Sequence, residues 1–538
     1  MNTICLRKFS VTSEYSDIQA NPPLDSWSSL LTISSLDSSR LTELRTTARS
    51  RLVEAAEAFV LRLNSIAEDT ELPPNRNSLL TGDAAVQPIV MTGHQPVIFH
   101  SGLTFKYEAT ETFAAENDAI AVAVIIDTDQ GDAGQFSHPQ VIESDGAPGE
   151  ADENSSLASR AYPVLAIDTM AESHKLFGHG RLRDADSLQS LSDATQQQLL
   201  VASQPDAAKS SIAAFEYFKQ LAAAKATALE ANTIMRWHHG IGGRMLELPL
   251  SAIASFPECL MLTADILKQP IRFASAYNSA LQDFREENGI RNIANPFPDL
   301  KLDGDSCELP FWVIDHNRSA RHVLEVQIDG SVTRLVANGR TVDTFAGNIS
   351  GETLEPMLLQ NLQLVPRGAL ITTFLRLLFS DLFVHGTGGG RYDRFTDDFI
   401  RSWWSAEPPP FTVASASRYL FVKERRNLQR LEKIKLQLRE LQYNPQRHFG
   451  TGVFSEELEA LLVELMKDKQ AAVDCMKSFH AEGQSGKDAG LEIQQTTNRI
   501  KQAVTEEFEP QLRLLNELSP EQIDAINCRT YPWFFFGK

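Results

Sequence analysis

The sequence predicts an α/β protein with an open parallel sheet and a helical arm toward its C-terminal end. Three observations carry this. "VQPIVMTG", "HQPVIFHSG", "LTFKYEATETFAAEND" and "AIAVAVIID" read in turn as strand, loop, helix and strand, the order of a right-handed crossover in a parallel sheet. The second of these strands is apolar at nearly every position, which suits burial on both faces. Beyond "PPPF", Leu431, Ile434, Leu438 and Leu441 recur at steps of three, four and three with Lys, Arg and Glu between them, which is a heptad seam.

The elements follow in chain order. From Ser39 to about Asp69, leucines, valines and alanines at helical spacing predict a long amphipathic helix. "TELPPNRNS" ends it with two prolines and an asparagine. After the strand–loop–helix–strand unit, the polar tail "DTDQGDAGQFSHP" falls at a strand's carboxyl end, the edge of an open sheet where ligands bind. The stretch from about 146 to 270 reads as an insertion carrying helices rather than as more of the sheet. A helix is expected from about Ile271 to Asn288, then strands at "LPFWVID" and "HVLEVQI", with "SVTRLVANG" as a hairpin partner. Gly386, Gly388, Gly389 and Gly390 form an expected loop between an apolar run and a helix. "YPWFFFGK" is too apolar for a tail in water. The expected organisation is an N-terminal helical segment over 1–80 packing on a core at 81–418, a helical hairpin or coiled coil at 419–518, and a segment at 519–538 that docks back on the core.

Bulk composition narrows the function. A chain of 538 residues is too long for one ordinary core, and 42% hydrophobic with 22% charged residues suits a soluble globular protein. A net charge of −20 argues against nucleic acid as a partner, because an acidic surface repels polyanions. No run approaches the ~20 apolar residues of a membrane span, and the N-terminus lacks the apolar stretch of a signal peptide. The five cysteines are far apart with no Cys-x-x-Cys pair, which points to a reducing cytoplasm rather than a disulfide framework or structural zinc.

Three blocks together resemble the bacillithiol-biosynthesis family of cysteine-adding enzymes. The family's strand followed by Thr-Gly-Gln-Gln stands here as Thr92, Gly93, His94 and Gln95, with Gly102 opening the helix and Lys106 and Tyr107 in its first turns. Its Glu-Asp-His-Asp and later Asn-His stand as Asp129, Gln130, Gly131, Asp132 and then Ser137, His138. Its Tyr-Val-Gly-Gly-Pro-Gly-Glu stands as Phe383 to Gly389, followed by Tyr392. The resemblance covers most of the chain in order, and the first motif is the close one. It implies a Rossmann-like core with inserted connecting segments, a C-terminal coiled coil used in homodimers, and a ligase that joins an amino acid to an amine. The departures bear on chemistry. Gly131 and Gly389 stand where the family has His and Glu, while His94 and His385 stand where it has Gln and Gly.

The candidate residues follow from type and position. His94, at a strand end, is a proton donor that switches near neutral pH or a histidine bonded to its own loop. Asp127, Asp129 and Asp132 supply oxygen donors for a substrate amine or for Mg²⁺ beside a nucleotide, or form a solvated acidic turn. His138, in Ser-His-Pro, is a ligand-facing group or part of an ordinary turn. Gly386 and Gly388, with Tyr392 and His385 beside them, cradle an anion or make a tight turn. Arg391 and Arg394 on the following helix help with phosphate or are surface residues, and Arg367 in "VPRG" is a carboxylate or phosphate clamp. His94, Asp129 and Asp132 are the candidate catalytic groups. Thr92, Gly93, Gln95 and Gly102, around the first loop, are expected to bind the substrate or nucleotide. The adjacent His238 and His239 are expected to be structural, since neighbouring residues do not share a face.

Two readings follow. In one, the chain is a ligase that uses a nucleotide such as ATP or ADP, with Mg²⁺, to activate a carboxyl group; the cofactor set itself is left open. In the other, it is a diverged dimer that keeps the fold and binds a small ligand without catalysis. A metal-dependent hydrolase built on His94, His138, His385 and the aspartates matches no standard ligand spacing.

Overall fold

The computed structural model describes residues 15–31, 39–68, 87–131, 133–140, 142–143, 160–161, 164–171, 175–292, 294 and 297–537. The protein is mixed α/β and divides into two compact units. One comprises 1–138, 165–418 and 529–538; the other comprises 139–164 and 419–528.

The first unit is built on a six-stranded sheet in the order Ser16–Asn21, Phe411–Ser417, Leu382–His385, Ile89–His94, Ile120–Ile125, Leu246–Pro249. Ser16–Asn21 is an antiparallel edge, and the other five strands are parallel. Their apolar runs explain this: every residue of Ile120–Ile125 is buried, as is every residue from Ile89 to Thr92. The chain builds outward from Ile89–His94 through Ile120–Ile125 to Leu246–Pro249. It then returns to the other side of Ile89–His94 for Leu382–His385 and Phe411–Ser417. Strand order therefore reverses between Ile89–His94 and Leu382–His385, and ligands of open α/β sheets lie at the carboxyl ends beside such a reversal.

The helix Ser39–Glu68 faces the sheet with Leu41, Leu44, Ala48, Leu52 and further residues at helical spacing. Arg45 and Arg49, one turn apart on that buried face, both reach Asp381. Arg45 Nη2 lies 2.7 Å from Oδ1 and Arg49 Nη1 2.6 Å from Oδ2. Asp381 also accepts from the Ile89 N–H at 2.8 Å, so one carboxylate ties the helix to the amino ends of both central strands.

One expectation needs correction here. The stretch at about 146–270 does carry helices (Ala185–Val201, Pro205–Ala223 and Ala228–His238), but it also returns to the sheet at Leu246–Pro249. "LELP" is a four-residue strand buried at every position, too short to show a period. The later strands of 81–418 form a second sheet. Ser306–Asp315, Ala320–Asp329, Val332–Ala337 and Arg340–Ala346 form a meander, and Leu362–Pro366 pairs with the other edge of Ser306–Asp315. All these pairings are antiparallel.

The C-terminal segment divides between the units. Pro520–Asn527 is a helix of the second. In the first, Tyr531, Trp533, Phe534 and Phe535 are buried, and the Trp533 N–H donates to Phe99 O at 2.9 Å. The second unit carries the helices Val422–Tyr443, Glu456–Ala481 and Lys487–Glu517 around a core of Ile434, Leu441, Leu458, Leu462, Leu465, Ile500, Val504 and Phe508. The spacing of Leu458, Leu462 and Leu465 keeps one helix face toward that core.

Candidate functional site

The Ile89–His94 strand ends under tight constraint. A Cβ on Gly93 would stand 2.9 Å from the Val124 carbonyl oxygen of the neighbouring strand, so only glycine fits. Thr92 Oγ1 donates to Val384 O at 2.8 Å, stitching the two strands where the order reverses. Gln95 then leaves the sheet, and its Nε2 donates to Asp129 Oδ2 at 2.9 Å. The loops after the two neighbouring parallel strands are thus joined directly.

Gln95 and Asp129 help to line a cavity of about 370 Å³, together with Tyr277, Trp312, Arg321 and Arg367. Arg321 forms an ion pair with Asp129, and Arg367 forms one with Glu308. Both guanidinium groups lie over the Trp312 ring, with Cζ 4.4 Å from the centroid for Arg321 and 4.7 Å for Arg367. Arg367 is fixed at its backbone, where its N–H donates to Pro310 O at 2.9 Å. Gly368 follows at φ +59° and starts the helix Ala369–Leu378, and a Cβ there would stand 3.2 Å from the Phe297 ring. Positive φ and a crowded neighbour together require glycine. The cavity has the size of a small-molecule site, with apolar walls and a few convergent polar groups.

His94 does not line this cavity. Its Nδ1 lies 3.2 Å from Gln95 O. Burial, aided by the charges of Lys106, His100 and Arg236, pushes its imidazole down to about 3. The expectation of a proton switch near neutral pH is therefore corrected: His94 is neutral throughout that range. Lys106 Nζ donates to Gly93 O at 2.7 Å, and burial pushes the amine down to about 7. Gly102 packs rather than binds. Its N–H donates to His100 Nδ1 at 3.1 Å, and a Cβ would stand 3.0 Å from both the His100 ring and Ser415 Oγ.

The acidic cluster separates. Asp127 Oδ1 accepts from the Ser251 N–H at 3.0 Å and Oδ2 from the Ser251 hydroxyl. Burial raises its carboxyl above the usual range. Asp127 therefore anchors the start of the short helix Leu250–Ala254 that follows Leu246–Pro249, and it is not among the residues lining the cavity that Asp129 lines. Asp132 lies outside the described residues. His138 is buried in a strand, Gln135–Pro139, that pairs with Val164–Asp168, so the ordinary turn given as one alternative is not formed there, and His138 is not among the residues lining the cavity.

The glycine loop is also corrected. Gly386 is the N-cap of the helix Thr387–Trp404, so Gly388, Gly389 and Gly390 lie inside its first turn rather than in a loop. His385 Nε2 lies 2.8 Å from Asp393 Oδ2, two turns along that helix. Asp393 also holds Arg376 Nη1 at 2.8 Å and the Thr372 hydroxyl at 2.9 Å. Asp393 is buried, and although burial alone would raise its carboxyl, the charges of His385 and Arg376 hold it well below the usual range. Tyr392 lines a second cavity of about 760 Å³ with Thr387, Gly390, Arg391, Arg394 and the edge-strand residues Gln19 and Asn21.

Of the predicted site residues, then, Gln95, Asp129 and Arg367 meet on one cavity, and Tyr392 belongs to another. Thr92 and Gly93 shape the strand end behind Gln95, and His385 is held by Asp393. Sequence reasoning missed Tyr277, Trp312, Arg321 and Glu308. Among the described residues no group of three His, Cys, Asp or Glu side chains is placed to hold a metal ion, and no helix is long and apolar enough to cross a membrane. No protein-family model matches the chain, and no curated protein matches it.

Proposed function

We propose that this chain is a carbon–nitrogen bond-forming ligase related to the cysteine-adding step of bacillithiol biosynthesis, acting in the cavity bounded by Gln95, Asp129 and Arg367. The observation that carries the reading is the Gln95–Asp129 hydrogen bond, 2.9 Å long. It joins the first two motifs of the resemblance beside the reversal of strand order, where ligands of open α/β sheets bind. Amide formation needs an activated carboxyl group, for which a nucleoside triphosphate with Mg²⁺ is the proposed source. Asp129 orients Gln95 and Arg321 at one wall, and Arg367 offers a guanidinium at another. The three-helix unit would act as a coiled-coil arm in a cytoplasmic homodimer. Val422 and Leu436, two heptads apart on one helix, are both exposed and support such a surface.

The test is direct. Purified protein would be incubated with L-cysteine and glucosaminyl-malate, with and without ATP and Mg²⁺, and the products read by mass spectrometry. An amide product is expected; its absence at high protein concentration would remove the ligase reading.

A second reading, a diverged dimer that binds a small ligand without catalysis, is favoured by one observation. Asp129, the carboxylate that lines the cavity, is already engaged by Arg321, and Glu308 behind the wall is engaged by Arg367, so neither is left as a base. A melting shift with a ligand but no turnover would select it.

A further inference from the structure

We infer that Tyr277 and Arg367 form a donor pair that holds a carboxylate or acyl oxygen of the ligand within the 370 Å³ cavity. This rests on the reading of that cavity as the substrate site, and it assigns a role to a residue that no sequence motif contains.

Tyr277 lies in the middle of the helix Pro270–Glu287. Its ring is clamped by Phe395 and Phe399, with centroids 5.1 and 5.3 Å away. The residue is 2% exposed, yet it lines the cavity, and its hydroxyl has no hydrogen-bond partner among the described residues. Buried tyrosine hydroxyls usually find a partner, so one without a partner at a cavity wall is a group waiting for a ligand atom. Burial raises the phenol above its ordinary value, so it keeps its proton and acts as a donor. Arg367 contributes in the same sense. Its Nη2 is spent on Glu308, but its Nε is buried without a partner.

The rest of the wall selects the sign of the ligand. The Asp129 oxygens are taken by Gln95 and Arg321, and Glu308 is taken by Arg367. The unspent groups that Tyr277 and Arg367 present are donors, so the ligand atom that meets this pair is an acceptor oxygen rather than an ammonium group.

Fluorine NMR of trifluoroacetate, with trifluoroethanol as the carboxylate-free control, tests the pair on the full-length protein. Trifluoroacetate should broaden with the wild-type chain and bind about tenfold more weakly to Tyr277→Phe and to Arg367→Gln, the loss of one hydrogen bond to a charged group. Trifluoroethanol should not respond. Tyr277→Phe keeps the ring and its packing, and an unchanged melting temperature verifies that. Failure of trifluoroacetate to bind the wild-type protein, or equal binding by Tyr277→Phe, overturns the pair. The ligase reading fails separately: trifluoroacetate binding lost in Tyr277→Phe, with no amide product from the wild-type chain, keeps the pair and removes the ligase. Equal amide synthesis by both chains removes the pair and keeps the ligase.

Discussion

The ring of His385 fills the space that a side chain at Gly389 would need. Its Nδ1 lies 2.7 Å from where a Cβ at 389 would stand, and the ring is held there by the 2.8 Å contact of Nε2 with Asp393. The histidine on the strand end and the glycine in the helix that follows are thus sterically matched. Gly389→Ala should therefore destabilise the protein by about 1–3 kcal/mol, the usual cost of overpacking. Gly389→Ala in a His385→Gly background should cost much less. Urea unfolding of the four chains gives the coupling, and additive effects would mean that the two positions are independent.

Asp381 is the strongest test of what holds the sheet to its N-terminal helix. It is fully buried and accepts from Arg45, Arg49 and the Ile89 N–H. Removing it leaves two guanidinium groups buried without their counter-charge. Asp381→Ala should cost about 3–5 kcal/mol, read as a lower urea midpoint with an unchanged slope. A loss within ~0.5 kcal/mol, the range of ordinary surface substitutions, would show that the carboxylate is not the tie.

These two pairs also show what the sequence could and could not reveal. Strands at Ile89–His94 and Ile120–Ile125 and the helix Ser39–Glu68 were legible because a long apolar run or a helical period is a local property. Leu246–Pro249 was not, because four residues after a glycine turn carry no period. Gln95, Asp129 and Arg367 were legible because each lies within a few residues of an apolar element's end. Tyr277, Trp312 and Arg321 were not. One comes from a helix face and two from an antiparallel sheet, and only tertiary packing brings them to the cavity. Asp127 and Asp129 are two residues apart in the chain, yet one meets Ser251 and the other Gln95. No composition signal separates them.

Lys106 sets a pH dependence of stability. Its amine falls from 10.5 to about 7 on folding, through burial. Between those values the unfolded chain binds more protons than the folded one, so this residue makes stability rise as pH increases from about 7 to about 10.5. Below about 7 both states are protonated, and the full penalty of a buried charge applies. Lys106→Met should raise stability at pH 6.5 and flatten its dependence on pH up to 10. Parallel curves for the variant and wild type across that range would mean that the folded amine titrates normally.

Leu436 tests the proposed arm without disturbing its core. It is 86% exposed on the helix Val422–Tyr443, whereas Ile434 and Leu441 on the same helix are buried in the three-helix core. A change at Leu436 should leave the fold within ~0.5 kcal/mol of wild type, as for other surface substitutions away from special features. If the exposed heptad positions meet a second copy, Leu436→Glu places like charges face to face at that seam and should turn a dimer into a monomer. Light scattering on a sizing column distinguishes the cases. A wild-type monomer, or a Leu436→Glu dimer as tight as wild type, would remove this face from the proposed association, while the packing of the helices within the unit would stand unaffected.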